Sequence, residues 1–133
     1  MSRDADPRYG AEVRRRMALL SGAGTLAPGP DVAVGHAGDR EQGAEVALQC
    51  RVAAGRVVEA RFRAFGCPHF LAAASWLTDR LRGAGRDELA NWDWREAADA
   101  LEVPPAKFGR LLTLQDAVRS AAGNWPGGAA STV

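Results

Sequence analysis

Cys67 stands between Gly66 and Pro68, at the mouth of an apolar stretch that runs through Phe70, Ala74, Leu77 and Leu81. A thiol at a helix entrance is favoured as thiolate by the free N–H groups and the helix dipole, which suits a metal ligand or a nucleophile. The same side chain also serves as a small hydrophobe filling a corner. His69 follows two residues later, so thiol and imidazole could converge on one metal ion, and His36 is the only other histidine. Two exposed histidines with no ligand role are the plainer alternative. Cys50, the second cysteine, shares an apolar face with Val46, Leu48 and Val52 and reads as core. Trp92 and Trp94 lie one residue apart, where they either anchor the core and cap a loop or mark a binding surface. No phosphate-binding loop, nucleophile–base–acid set or paired-carboxylate signal is present, so the chain does not read as an enzyme.

The elements that must position these groups follow from periodicity. Residues 1–8 and 124–133 read as flexible tails around one domain, 9–123. Val13, Met17 and Leu20 form one stripe of a helix over 9–20, and a Gly/Pro-rich loop follows. A short edge strand is expected over 32–34. Strict alternation then predicts a hairpin of strands 45–52 and 56–64, turning at Ala53-Ala54-Gly55, with Val58, Ala60, Phe62 and Ala64 on the buried side of its second strand. Helical spacing resumes over 68–82 and stops at Gly83 and Gly85. Asp93 with Glu96 resembles a capping box for a short helix ending near Leu101. Pro104 and Pro105 break the chain before a last helix over 106–122, whose stripe is Phe108, Leu111, Leu112, Gln115, Val118 and Ala122. Strands followed by helices argue an α+β domain with the helices on one face of a small antiparallel sheet.

Bulk properties narrow the function. A chain of 133 residues with 47% hydrophobic and 25% charged residues can bury one stable core. A net charge of +1 makes no electrostatic case for nucleic acid or an anionic membrane, and Arg14, Arg15 and Arg16 read as one solvated helix face. No signal-type or membrane-spanning stretch is visible, so the cytoplasm is expected, with both thiols free.

Several motifs carry a family resemblance over roughly 9–122. The run ARFRAFGCPHFLAAASWLTDRLRG, from Ala60 to Gly83, resembles the central segment of the IscU/NifU-type iron–sulfur cluster assembly scaffolds. Val103-Pro104-Pro105-Ala106-Lys107 resembles the family's Leu-Pro-Pro-Val-Lys segment, and the QDAVRSAA stretch resembles the family's ending. YGAEV and GAGTL fit the first helix and its loop, although Leu19-Leu20-Ser21 replaces the usual Asn-Pro-Arg. The resemblance implies a three-stranded antiparallel sheet with helices packed on it.

It also implies a ligand set that this chain has largely lost. The family holds its cluster with three cysteines, helped by an Asp and sometimes a His, because soft sulfur donors stabilise such clusters. Cys67 matches the second cysteine. Counting back without gaps from the second strand, Gln42-Gly43-Ala44 falls on the family's Cys-Gly-Asp, losing both Cys and Asp. A gapped alternative uses Ala37-Gly38-Asp39, which keeps the Asp. The family's later His-Cys corresponds to Gly109-Arg110, and a cation at Arg110 opposes metal binding there.

Three readings follow from the resemblance. One is a cluster assembly scaffold with weak or lost cluster binding, with Cys67, His69, His36 and Asp39 as the remaining candidate ligands for iron or zinc. Another is an interaction protein that keeps the surface for a cysteine desulfurase and a heat-shock-type chaperone, the latter reading the segment Val103 to Lys107. The structural alternative for that segment is that its prolines merely start the last helix. A third reading is a reactive thiol or mononuclear metal site at Cys67.

Overall fold

The computed structural model describes residues 9–127; the expected tail 1–8 and the tail residues 128–133 lie outside the described residues. The elements run α1 (Ala11–Leu19), β1 (Val32–Asp39), β2 (Ala44–Ala53), β3 (Arg56–Phe65), α2 (Pro68–Arg80), α3 (Arg86–Ala90), α4 (Arg95–Leu101) and α5 (Phe108–Gly123). Single 3-10 turns precede β2, at Arg40–Gln42, and α5, at Pro105–Lys107. The three strands form one antiparallel sheet in the order β1-β2-β3. This is the α+β arrangement that the alternation and the resemblance both lead to.

One apolar face of the sheet, including Ala33, Val46, Leu48, Cys50, Val57, Ala60 and Phe62, shares a single core with Phe70 and Leu77 of α2 and with Leu111, Leu114 and Val118 of α5. Cys50 is fully buried there, and burial pushes its thiol up to about 12, so it stays protonated. Cys50→Ser should therefore destabilise by roughly 1–3 kcal/mol, since a hydroxyl replaces an apolar-compatible thiol in a site with no partner for it. Maleimide should label Cys67 alone in the native protein; a Cys50 that reacts at a similar rate would count against this packing.

The sequence expectations need correcting in β1, β3 and α5 and at the start of α4, and the short helix α3 lies outside them. β1 is eight residues long, not three: its inward-facing residues, Ala33, Gly35 and Ala37, are small where α5 lies close, so the strand carries little apolar contrast. In β3 the buried residue is Val57, and Val58 is 50% exposed, because the ladder slips between Arg51 and Val52. A bulge moves every residue before it to the other face. In α5 Leu114 is buried and Leu112 is 44% exposed, so the core stripe is rotated from the expected one. The last helix starts at Phe108, after the 3-10 turn. Lastly, Asp93 and Glu96 do not form a capping box. Asp93 Oδ1 accepts from the Arg95 N–H at 2.8 Å, while the Glu96 carboxylate accepts from Arg80 Nε at 2.7 Å and Trp92 Nε1 at 3.2 Å.

Of Trp92 and Trp94, Trp92 is the one that anchors the core. Trp92 is buried, with its ring 6.5 Å from that of Trp76. Trp94 is half-buried against Phe108, 4.7 Å between centroids, with the Arg95 guanidinium over its ring.

The outer strands are met by the chain's own loops at a few points, β1 at Val34 and β3 at Val57 and Phe62. On β1, Asn124 Nδ2 donates to Val34 O at 2.8 Å, just past the end of α5. On β3, Gly24 N–H donates to Phe62 O, Phe62 N–H to Gly22 O, Val57 N–H to Ala84 O, and Gly83 N–H to Val57 O. The loop after α1 then crosses to the other face of the sheet, where the Gln49 amide bonds both the N–H and the C=O of Leu26, at 2.7 and 3.1 Å.

Candidate functional site

The antiparallel register brings one end of the sheet together. Glu45 pairs with Phe65, so the chain enters β2 from Gln42-Gly43-Ala44 directly beside the point where it leaves β3 into Gly66-Cys67. Asp39, at the end of β1, pairs with Ala44. Its carboxylate is already in use: Oδ1 accepts from the Gln42 N–H at 2.8 Å and caps the 3-10 turn. Asp is a favoured N-cap residue, and Gly43 closes the turn in the left-handed region.

Cys67 is the N-cap residue of α2, with an extended backbone, Pro68 at the first helical position, and its C=O accepting the first helical bond from Leu71 at 3.0 Å. Proline suits that position because its missing N–H would have had no helical partner. The thiol is partly buried and packs against the core cluster.

α5 reaches the same end of the sheet. Arg110 Nη1 donates to Gln42 O at 2.9 Å, across 68 residues of sequence. Gly43 sits at φ +86, and a Cβ there would lie 3.1 Å from Arg110 Nη2, so glycine leaves room for the guanidinium. Gly109, one residue earlier, has open space around it. Ala44 is buried in the core.

The two histidines lie on opposite sides of the sheet. His36 points to the face away from the helices, where its Nε2 meets Glu45 Oε2 at 2.9 Å. His69 is 4% exposed on the helix side, with its ring 4.9 Å from Tyr9. Its buried Nδ1 has no hydrogen-bond partner among the described residues. Sequence reasoning placed Cys67, His69, His36 and Asp39 as candidate ligands. Among the described residues, no three His, Cys, Asp or Glu side chains gather where a metal ion could be held.

Burial, with a further push from the Lys107 cation, holds His69 below the ordinary imidazole value of 6.5. The unfolded chain then binds a proton that the folded chain refuses. Stability is complete above about pH 6.5 and falls as the pH drops from there toward the folded-state value. His69→Phe should remove this part of the acid loss while keeping a ring against Tyr9. Urea midpoints measured from about pH 7.5 to 5 would test it, and an unchanged slope in the variant would sink the assignment.

A three-stranded sheet with helices on one face, and the starts of β2, α2 and α5 meeting at one end, make one α+β domain. The chain belongs to the NifU-like N-terminal domain family, whose sequence model matches residues 9–131. It is 31% identical over 93 residues to iron–sulfur cluster assembly protein 2 of Arabidopsis thaliana, covering 69% of this chain and 57% of that protein. It is 33% identical over 100 residues to the mitochondrial iron sulfur cluster assembly protein 1 of Schizosaccharomyces pombe, covering 74% and 52%. The chain thus spans little more than half the length of these relatives. A crystal structure of a NifU-like N-terminal protein from Brucella abortus shares the fold at a TM-score of 0.67 and 18% identity, over 91% of this chain and 96% of that one. Among the described residues, no helix is long and apolar enough to cross a membrane.

Proposed function

We propose that this domain serves iron–sulfur cluster assembly as a scaffold-family protein that does not hold a stable cluster by itself. The observation that carries the reading is the Arg110–Gln42 hydrogen bond at 2.9 Å. The positions matching the family's first and third cysteines meet there, and a guanidinium and a backbone carbonyl now bridge the gap between them. That contact also favours the ungapped reading of Gln42-Gly43-Ala44 over the one through Ala37-Gly38-Asp39. One thiol, at Cys67, remains of three, and a cluster needs about four ligands, mostly thiolate. Neither histidine makes up the deficit: they sit on opposite sides of the sheet.

What the domain keeps is surface. Pro104, Pro105 and Ala106 are exposed, while Val103 is buried and anchors the segment. This supports recognition by a heat-shock-type chaperone, with a cysteine desulfurase as the other partner that family membership suggests. Two free thiols fit work in a reducing compartment, for which we favour the cytoplasm. The role is that of a scaffold or adaptor, not an enzyme.

The test is reconstitution with ferrous iron and sulfide under reducing, oxygen-free conditions, followed by desalting and counts of iron and acid-labile sulfide. The expected result is no stoichiometric cluster and no visible-range absorbance. A cluster at full occupancy in the unmodified protein would overturn the reading and point to a second subunit as the source of ligands.

A further inference from the structure

The face of the sheet turned away from the helices carries charges that are unevenly matched. Near the hairpin end, Arg51 and Arg61 both close on Glu59, at 2.6 and 2.8 Å, and Arg51 also meets Asp31 at 3.6 Å. At the other end, beside Gly66-Cys67, the balance differs. His36, Ala47 and Arg63 form one cross-strand row, and Glu45 with Phe65 the next. Ala47 is the small member of its row, so the space between His36 and Arg63 opens as a groove of about 390 Å³, walled by Arg40, Glu45 and Phe65.

Among the described residues Glu45 is the only carboxylate lining that groove, and it is engaged by His36 Nε2 at 2.9 Å and Arg40 Nε at 3.5 Å. Arg63 is exposed and has no ion-pair partner among the described residues. Arg40 lies over the ring of Phe65, 5.0 Å from its centroid, and Phe65 is 43% exposed. The groove therefore holds two arginines against one carboxylate, with an accessible aromatic wall.

We propose that this groove docks an acidic segment of a protein partner, with a carboxylate on Arg63 and an apolar side chain against Phe65. Guanidinium and carboxylate are matched in geometry as well as charge, and a half-exposed ring with a cation over it offers an apolar anchor beside that pair. A nucleic acid fits less well, because a run of phosphates needs a row of free cations. Here the arginines further along the face are already neutralised by Glu59 and Asp31. The proposal concerns a different face from the Arg110–Gln42 contact and holds whether or not the domain carries a cluster.

The test is fluorescence anisotropy with a labelled peptide of alternating glutamate and leucine, and with its lysine-for-glutamate counterpart, on the full chain. The acidic peptide should bind, the basic one should not, and affinity should fall as salt is raised through about 0.15 M. Arg63→Glu should weaken binding by about tenfold or more through like-charge repulsion, while Arg51→Gln, at the neutralised end, should change it less than about threefold. Circular dichroism would establish that both variants fold. Equal binding of the two peptides, no effect of Arg63→Glu, or tighter binding of a single-stranded oligonucleotide of matched charge would each overturn the proposal.

Discussion

Gly35→Ala should lower the unfolding free energy by about 3 kcal/mol or more, at or beyond the usual range for an overpacked core. The reason is backbone against backbone. A Cβ at Gly35 would lie 2.0 Å from Ala117 O and 2.8 Å from Ala121 N, both in the main chain of α5. A flexible side chain could rotate away; a helix cannot, so α5 would have to lift off β1 as a body. That movement would also open the packing of Leu114 and Val118, which are fully buried on the same helix. Arg110 rides on α5 as well, so its bond to Gln42 should loosen. Urea unfolding of the two proteins at one pH measures the difference. A loss below about 1 kcal/mol would mean that α5 does not rest directly on the strand.

The second large effect is a gain. On the function proposed above, Gln42→Cys with Arg110→Cys should raise the iron and sulfide retained after reconstitution from none to a measurable, partial occupancy. The double change supplies thiolates at two of the three positions and removes the guanidinium that bridges them, with Cys67 as the third. Adding Ala44→Asp restores the carboxylate that the family places beside the first cysteine. Ala44 is buried, however, so a carboxylate there carries a desolvation cost unless metal occupies the site. The double and triple variants therefore need to be compared. Iron and sulfide counts with visible absorbance are the readout, and a further Cys67→Ser change should abolish whatever is gained. If neither variant binds iron in excess of the unmodified protein, the loops have drifted from ligand geometry and the adaptor role stands without its scaffold ancestry in the site.

Much of the fold was legible because two strands and two helices advertise themselves by period. Val46, Leu48 and Cys50 alternate with Glu45, Gln49 and Arg51, and the structure buries the first set. β1 was largely hidden, since a strand that lies under a closely approaching helix is written in glycine and alanine and has little hydrophobic contrast to read. Val58 misled for another reason: a bulge inverts facing without changing the sequence pattern around it. α3 was missed because five residues carry too little periodicity. At the site, Cys67 drew notice from its own context, while Gln42 and Arg110 came to notice only through the family resemblance. No local pattern could pair them, as their contact is made by tertiary packing of α5 on the β1–β2 end of the sheet. The separation of His36 from His69 was likewise invisible, because sequence proximity to a site says nothing about which side of a sheet a side chain occupies.

The bonds that Asn124 makes to β1, and that Gly22, Gly24, Gly83 and Ala84 make to β3, bear on how this domain can be approached. A bare outer strand is a template: another chain can pair with it, either as a docked peptide or as the first step of open-ended association. In this domain the outer strands are met at those points by the chain's own loops. Recognition by strand addition is thereby disfavoured, and with it the edge-to-edge growth that would draw copies of the domain into aggregates. Partners are left with the broad faces and the helix entrances. The contacts at Val34, Val57 and Phe62 thus act as stops that interrupt any ladder a second chain would have to build along either edge.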